Sequence, residues 1–192
     1  AILSIAAHLE NKGISALDIA GLAQKNGAVF SHIQIANDSS KIHAARIANG
    51  GAKVMIGCDM VASASGEAIS KLKPNNTFAV VNSNNTMTSD FTTEPDLKFP
   101  KKNIQDALEK ATGCQSIDYI DATGLALGLL GDTIAANMLL VGFSYQKGLL
   151  PVSAIAIERA IELNGVAVDF NKKAFLWGRR VQHNQIAVSN LL

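Results

Sequence analysis

The feature that most constrains the fold is a series of short apolar segments that each end in a polar residue. The polar residues at these ends are Asp18, Asp59, Asn82 and Asp121. Apolar residues at helical spacing follow Asp59 and Asp121, and Asp59 stands where the N-cap of a helix belongs. Because strands that alternate with helices favour a mainly parallel sheet covered on both faces, we expect a three-layer α/β/α fold.

The same pattern predicts where the individual elements lie. Strands are expected at residues 14–17, 28–36, 53–58, 77–82 and 117–120. Helices are expected at 2–9, from 60 to about 72, and at 103–112, 123–130, 132–146, 152–164 and 171–183. With no repeat or linker in view, the sequence predicts one domain over residues 1–192 with a helical C-terminal third.

Composition excludes several classes of partner. Charged residues make up 17% of the chain and hydrophobic residues 48%, whereas charged residues are about 25% of a typical chain. Either a compact alanine-rich core or a surface covered by partner domains accounts for this, and the two are about equally favoured. The net charge of +1 with no basic stripe argues against nucleic-acid binding.

The chain carries few metal-binding side chains and no membrane-spanning run. Cys58 and Cys114 do not form a cluster motif, so we expect neither an iron–sulfur cluster nor a zinc site here. The four histidines share no metal-binding spacing. Sparse cysteine indicates a reducing compartment, so we expect a cytoplasmic protein. No apolar stretch reaches the roughly 18 residues of a membrane span, so no membrane partner is expected.

Ligands of open α/β sheets bind beyond the carboxyl ends of the strands, and the loop after Asp18 is the richest candidate. Gln24 and Lys25 lie in this glycine-bounded loop, and Ser31 and His32 follow in the next strand. Backbone N–H groups with a lysine suit a phosphate or carboxylate. On the residues alone, an ordinary exposed turn and a structural strand histidine are the favoured alternatives.

A second candidate is the polar stretch from residue 83 to 100, which follows Asn82 and contains Thr88. A loop this long is often functional, so one interpretation is that it orders against a partner or cofactor. Composition alone favours the other interpretation, in which it simply connects two elements. The sequence has no dinucleotide fingerprint, Walker loop or nucleophile elbow. We therefore expect a contributor to a shared site rather than an independent enzyme.

Several strings resemble indolepyruvate ferredoxin oxidoreductases. The segment Leu17-Asp-Ile-Ala-Gly-Leu-Ala-Gln-Lys-Asn-Gly-Ala-Val-Phe-Ser-His32 is similar to the family's D-x-x-G-L-A-Q-K-G-G-A-V-x-S-H. It departs at Asn26, and asparagine is the residue that best replaces glycine where φ is positive. Further matching strings are Ile42-His-Ala-Ala-Arg-Ile47, Gly57-Cys-Asp59, Val80-Val-Asn82, Tyr145-Gln-Lys-Gly-Leu149 and Ala174-Phe-Leu-Trp-Gly-Arg179. The resemblance covers essentially the whole chain and points to the gamma-type domain of 2-oxoacid:ferredoxin oxidoreductases.

The resemblance implies an activity for the assembled enzyme. Such enzymes oxidatively decarboxylate a 2-oxoacid with coenzyme A, giving an acyl-CoA, carbon dioxide and two electrons for ferredoxin. Indolepyruvate-type members prefer aryl pyruvates. Thiamine diphosphate and iron–sulfur clusters lie in other domains or subunits, which are the implied partners. The domain alone would hold no catalytic residue, and one wall of the thiamine and coenzyme A site would comprise Gln24, Lys25, Ser31, His32, Asn82 and Thr88.

The resemblance also concerns the beginning of the chain. The family has a glycine-rich G-x-G-G-x-G loop before the first helix, and this sequence starts at that helix without Met. We therefore expect a fragment of a longer fused chain. Two alternatives stay open: a structural or assembly module without ligand contacts, and an independent small-molecule-binding α/β domain. The missing glycine fingerprint argues against the second.

Overall fold

The computed structural model describes residues 1–20, 29–84 and 100–191. In chain order the described elements are α1 (Ile2–Leu9), β1 (Gly13–Ala20), β2 (Val29–Ala36), β3 (Val54–Gly57), α2 (Met60–Ser63), α3 (Gly66–Lys71), β4 (Phe78–Asn82), α4 (Lys101–Thr112), β5 (Ile117–Ile120), α5 (Ala122–Leu130), α6 (Ala136–Gln146), α7 (Ala154–Asn164), α8 (Val168–His183) and α9 (Gln185–Ser189). Short 3-10 turns occupy Ser39–Lys41 and Thr133–Ala135.

The chain divides into two compact units. The hairpin unit comprises Ala1–Ala48 and Val141–Leu192, and the sheet unit comprises Asn49–Leu140. The α/β class predicted from the sequence, with its parallel sheet and helical C-terminal third, is confirmed. The single domain over residues 1–192 stays a prediction.

The sheet unit is built on a parallel sheet with the strand order β3–β4–β5. Strands β3 and β4 are short and largely apolar, as expected for strands that are covered on both faces, whereas β5 contains Asp118. Val80 and Val81 of the central strand are fully buried, as is Leu108 of α4. Gly113, with φ of +91°, ends α4 in a conformation that disfavours other residues. This geometry brings the carboxyl ends of all three strands to one edge.

In the hairpin unit, β1 and β2 pair in antiparallel fashion from Gly13 opposite Ala36 to Ala20 opposite Val29. They therefore form a separate two-stranded sheet instead of joining the parallel one. Helix α1 packs on α7. Gly142 of α6 lies so close to α8 that an added Cβ would be 2.1 Å from the carbonyl oxygen of Phe175. Glycine is therefore required where these two helices meet.

The turn after α1 is tied to the start of α7 by charged side chains. Glu10 Oε1 accepts a hydrogen bond from the Ser153 N–H at 2.8 Å, and Lys12 Nζ lies 2.7 Å from Glu10 Oε2. Lys12 also donates to the carbonyl of Pro151. The hydrogen bonds from Lys12 and then from Ser153 lower the pKa of Glu10 to about 2. The ionised carboxylate therefore helps hold the two elements together.

Some predicted boundaries are wrong for identifiable physical reasons. The single helix expected from residue 60 to 72 is two helices, because the Ser65 side chain accepts a hydrogen bond from the Ala68 N–H and caps a new one. Helix α8 begins at Val168, earlier than predicted, and α9 was not predicted at all. Asn184 caps α9 by accepting from the Ala187 N–H, so this helix starts on a side-chain bond that apolar spacing does not reveal.

Candidate functional site

Asn82, the last residue of β4, joins the carboxyl ends of all three parallel strands. The side chain is 4% exposed. Its Nδ2 donates to the carbonyl of Cys58 at 3.1 Å, just after β3, and to Thr123 Oγ1 at 2.8 Å, just after β5. Its Oδ1 accepts from the N–H groups of Ala122 at 3.1 Å and Asn84 at 3.3 Å. One buried amide thus uses both donor hydrogens and its acceptor oxygen to fix this edge.

Two carboxylates at the same edge serve as helix caps. Asp59 accepts from the Ala62 N–H at 2.7 Å and begins α2, and Asp121 accepts from the Gly124 N–H at 2.9 Å and begins α5. Asn84 Nδ2 lies 3.4 Å from the same Asp121 oxygen. These carboxylates orient the loops around the edge, because their acceptor oxygens are occupied by backbone N–H groups.

Cys58 directly follows β3, and part of its surface is exposed to solvent while the rest packs against the surrounding protein. Desolvation by the surrounding protein raises the pKa of its thiol, and the negative charge of Asp59 adds to the increase. The thiolate is the nucleophilic form of cysteine. The direction of this pKa shift favours the thiol form of Cys58 over the thiolate.

Of the residues predicted to form one wall, Ser31 and His32 lie on opposite faces of β2, as consecutive strand residues do. Ser31 is exposed and its hydroxyl donates to Asp18 Oδ1, at 2.6 Å, across the strand pair. His32 is 5% exposed, and its Nδ1 accepts from the Ile47 N–H at 3.2 Å. In its neutral form this histidine therefore carries its proton on Nε2. The two side chains cannot both face one ligand from this strand.

The segment 42–47 is held against β2 without regular secondary structure. Besides the bond from Ile47 to His32, the Gln34 side chain donates to the Ala44 carbonyl. Gln34 and His32 are two residues apart, so their side chains share one face of the strand. The string 42–47 is therefore held against β2, which contains His32 at the end of the other string. The alternation of polar side chains on β2 was the available signal for this contact.

Three of the predicted site residues, Gln24, Lys25 and Thr88, lie outside the described residues. Asn82 belongs to the sheet unit, whereas Ser31 and His32 belong to the hairpin unit. Across residues 1–20, 29–84 and 100–191, no group of three or more histidine, cysteine, aspartate or glutamate side chains is placed to hold a metal ion. In the same ranges, no helix combines the length and apolar character needed to cross a membrane.

Comparisons with known proteins give the family. The sequence profile described as pyruvate ferredoxin/flavodoxin oxidoreductase matches residues 1–181. The pyruvate oxidoreductase subunit PORC of Thermotoga maritima is similar in structure, with a TM-score of 0.60 and 22% identity, over 93% of this chain and 85% of that one. The gamma subunit of a keto/oxoacid ferredoxin oxidoreductase from Geobacter sulfurreducens has a TM-score of 0.61 and 18% identity, over 95% and 88%. No curated protein matches the sequence.

The chain belongs to the pyruvate ferredoxin/flavodoxin oxidoreductase family, since the profile spans almost its whole length. The two solved structures share its fold. Membership of this family supports a place in a 2-oxoacid oxidoreductase, with other subunits or domains as partners.

Proposed function

We propose that this chain is the gamma-type component of a cytoplasmic 2-oxoacid:ferredoxin oxidoreductase of the indolepyruvate type. The assembled enzyme decarboxylates an aryl pyruvate, transfers the acyl group to coenzyme A and passes two electrons to ferredoxin. Thiamine diphosphate and iron–sulfur clusters are held by partner domains or subunits. The observation that carries the proposal is the family match over residues 1–181, and the motif strings favour the indolepyruvate branch.

The geometry supports a shaping role for this component within a shared site. Asn82 fixes the edge of the parallel sheet at which α/β domains bind ligands, by joining Cys58 and Thr123. No described group there combines a nucleophile with a base and a third orienting residue, as covalent catalysis requires. The chemistry is therefore assigned to the thiamine-bearing partner, and this chain contributes contacts and shape.

Within the proposed wall, each residue has a separate role. Lys25 holds a phosphate or carboxylate through its positive charge, with Gln24 beside it as a hydrogen-bonding side chain. Ser31 presents a hydroxyl on the exposed face of β2, whereas the buried His32 positions the segment that ends at Ile47. Thr88 lies on the stretch that follows Asn82 and contributes a further hydroxyl.

One specific observation favours the alternative of an assembly module without ligand contacts. Asn82, Ser31 and His32 all direct hydrogen bonds to groups of this chain. Such bonds stabilise the fold whether or not a ligand is present. Lys25 therefore separates the two functions better than any of these three.

The test is made in the assembled enzyme, by measuring reduction of ferredoxin or a viologen dye with a 2-oxoacid and coenzyme A. We expect Lys25→Ala to raise the KM for coenzyme A or for the 2-oxoacid by about tenfold, which corresponds to losing one charge-assisted hydrogen bond of about 1.5 kcal/mol. Lys41→Ala, which changes an exposed lysine of a surface turn, is the matched control. Unchanged KM values and turnover in Lys25→Ala would favour the assembly module.

A further inference from the structure

A groove at the C-terminal end of the hairpin unit is not used by the proposed site. It has a volume of about 480 Å³ and is open to solvent rather than enclosed. Helix α8 contributes Trp177, Arg179 and Arg180, and the segment through α9 contributes Val188 and Leu191. The groove therefore combines aromatic, cationic and apolar side chains on one surface.

The two arginines of the groove are held in place by aromatic rings. The guanidinium carbon of Arg180 lies 4.8 Å from the ring centre of Trp177. That of Arg179 lies 5.2 Å from the ring centre of Tyr145 and 5.8 Å from that of Phe175. Arg179 Nε also donates to Gln146 Oε1 at 3.1 Å. Stacked guanidinium groups are preorganised, so less side-chain entropy is lost when they bind an anion.

Neither arginine is neutralised by the part of the chain that the structure describes. The ion pairs recorded there join other residues, such as Arg159 and Lys172 with Glu162. None of the described residues that line the groove is acidic. Two fixed positive charges with no carboxylate from the described residues beside them attract a negatively charged partner, and this complementarity indicates the sign of the partner's charge.

The apolar side chains and the open shape indicate the kind of partner. Leu176 and Leu191 are exposed, Leu191 to 68%, although both are large and hydrophobic. Small-molecule sites usually enclose most of their ligand, which an open groove does not. A peptide segment instead lays apolar anchors along a groove while its charges meet the rim.

We propose that this groove docks an acidic segment of a partner chain, with carboxylates on Arg179 and Arg180 and apolar side chains against Leu176 and Leu191. The partner is another subunit or domain of the assembled enzyme, so the inference uses the family assignment. It is independent of the substrate, and its failure would leave the proposed activity intact.

The test uses Trp177, which is the single tryptophan of the chain and lies under Arg180. Its fluorescence is titrated with a short peptide of alternating glutamate and leucine, with a lysine–leucine peptide of the same length, and with ADP. We expect the acidic peptide alone to change the fluorescence saturably, and its affinity to fall as salt is raised. Saturation by the basic peptide with equal affinity, or by ADP with higher affinity than the acidic peptide, would overturn the proposal.

Substitutions locate the binding. We expect Arg180→Glu to weaken the affinity for the acidic peptide by about tenfold or more, because a fixed attraction becomes a repulsion. Arg159→Glu, an exposed arginine on α7, is the matched control and should change the affinity less than about twofold. Leu191→Asp provides a second variant at an exposed position if Arg180→Glu disturbs α8, and it should also weaken binding. The proposal is contradicted if Arg180→Glu and Leu191→Asp both bind the acidic peptide as tightly as the unchanged chain does.

Discussion

Replacing Asn82 by alanine should loosen the carboxyl edge of the parallel sheet. The substitution removes the bonds to Cys58, Thr123 and Ala122 and leaves the fully buried Ala122 N–H without its acceptor. Each lost bond contributes about 1 kcal/mol net, and an unsatisfied buried donor costs about 1–3 kcal/mol. Allowing for partial relaxation, we expect the free energy of unfolding to fall by about 3–4 kcal/mol, a large part of the stability of an ordinary domain.

Two further variants resolve this effect into its parts. Asn82→Asp keeps an acceptor for the Ala122 N–H but places a second buried carboxylate oxygen against the Cys58 carbonyl, so at neutral pH it should cost at least as much as alanine. Thr123→Val removes one bond of 2.8 Å and should cost about 1 kcal/mol. In an Asn82→Ala background the same Thr123 change should cost less, because the two residues share that bond.

The assay is urea unfolding of the chain followed by hydrogen exchange at individual segments. Amides of β3, β4 and β5 report the sheet unit, whereas the fluorescence of the single tryptophan, Trp177, reports the hairpin unit. We expect Asn82→Ala to speed hydrogen exchange in the three strands much more than it shifts the urea transition followed by Trp177 fluorescence. The reasoning is refuted if Asn82→Ala unfolds within about 0.5 kcal/mol of the unchanged chain, the size of an ordinary surface effect.

Two other predictions concern the hairpin unit and one glycine of the sheet unit. Because the pKa of Glu10 is lowered to about 2 from 4.5, its contribution is complete above pH 4.5 and is lost as the pH falls toward 2. Glu10→Gln should therefore reduce stability at pH 7 by about 1 kcal/mol after allowance for solvent screening, and the difference should vanish near pH 2, as denaturation at both pH values will show. Gly142→Ala forces a Cβ against the Phe175 carbonyl. It should lower the free energy of unfolding, measured by Trp177 fluorescence, by about 1–3 kcal/mol. Gly66→Ala, where an added Cβ meets nothing within 4 Å, should be neutral or stabilising when hydrogen exchange of the sheet unit is followed. An equal loss of unfolding free energy in both glycine variants, each measured in its own unit, would contradict the close-packing argument.

The sequence predicted the features that depend on local patterns. Strand β5 lies at Ile117–Ile120, where it was expected, and Asp59 caps a helix as predicted. Apolar runs and capping residues act within a few positions of one another, so they can be recognised without knowing the fold. The sequence also nominated the strand ends at Asp59, Asn82 and Asp121, which the parallel sheet brings to one edge.

What the sequence could not predict depends on contacts between distant residues. No local signal showed that Asn82 bonds across to Thr123, or that His32 anchors Ile47. Strand geometry alone predicts that Ser31 and His32 face opposite sides of β2. It does not predict the antiparallel pairing with β1, which fixes what surrounds each side chain. The groove beside Trp177 likewise combines residues of α6, α8 and the segment through α9, and α9 was not predicted.

The most direct test of the proposed function is the substrate preference of the assembled enzyme. Coenzyme A-dependent reduction of ferredoxin is measured with indolepyruvate and with pyruvate, and kcat/KM is compared. An indolepyruvate-type site predicts a value for indolepyruvate at least about tenfold above that for pyruvate, since burying a large aromatic side chain stabilises the bound state by more than 1.4 kcal/mol. A preference for pyruvate would contradict the indolepyruvate assignment, and absence of coenzyme A-dependent turnover with either acid would contradict the proposed activity itself.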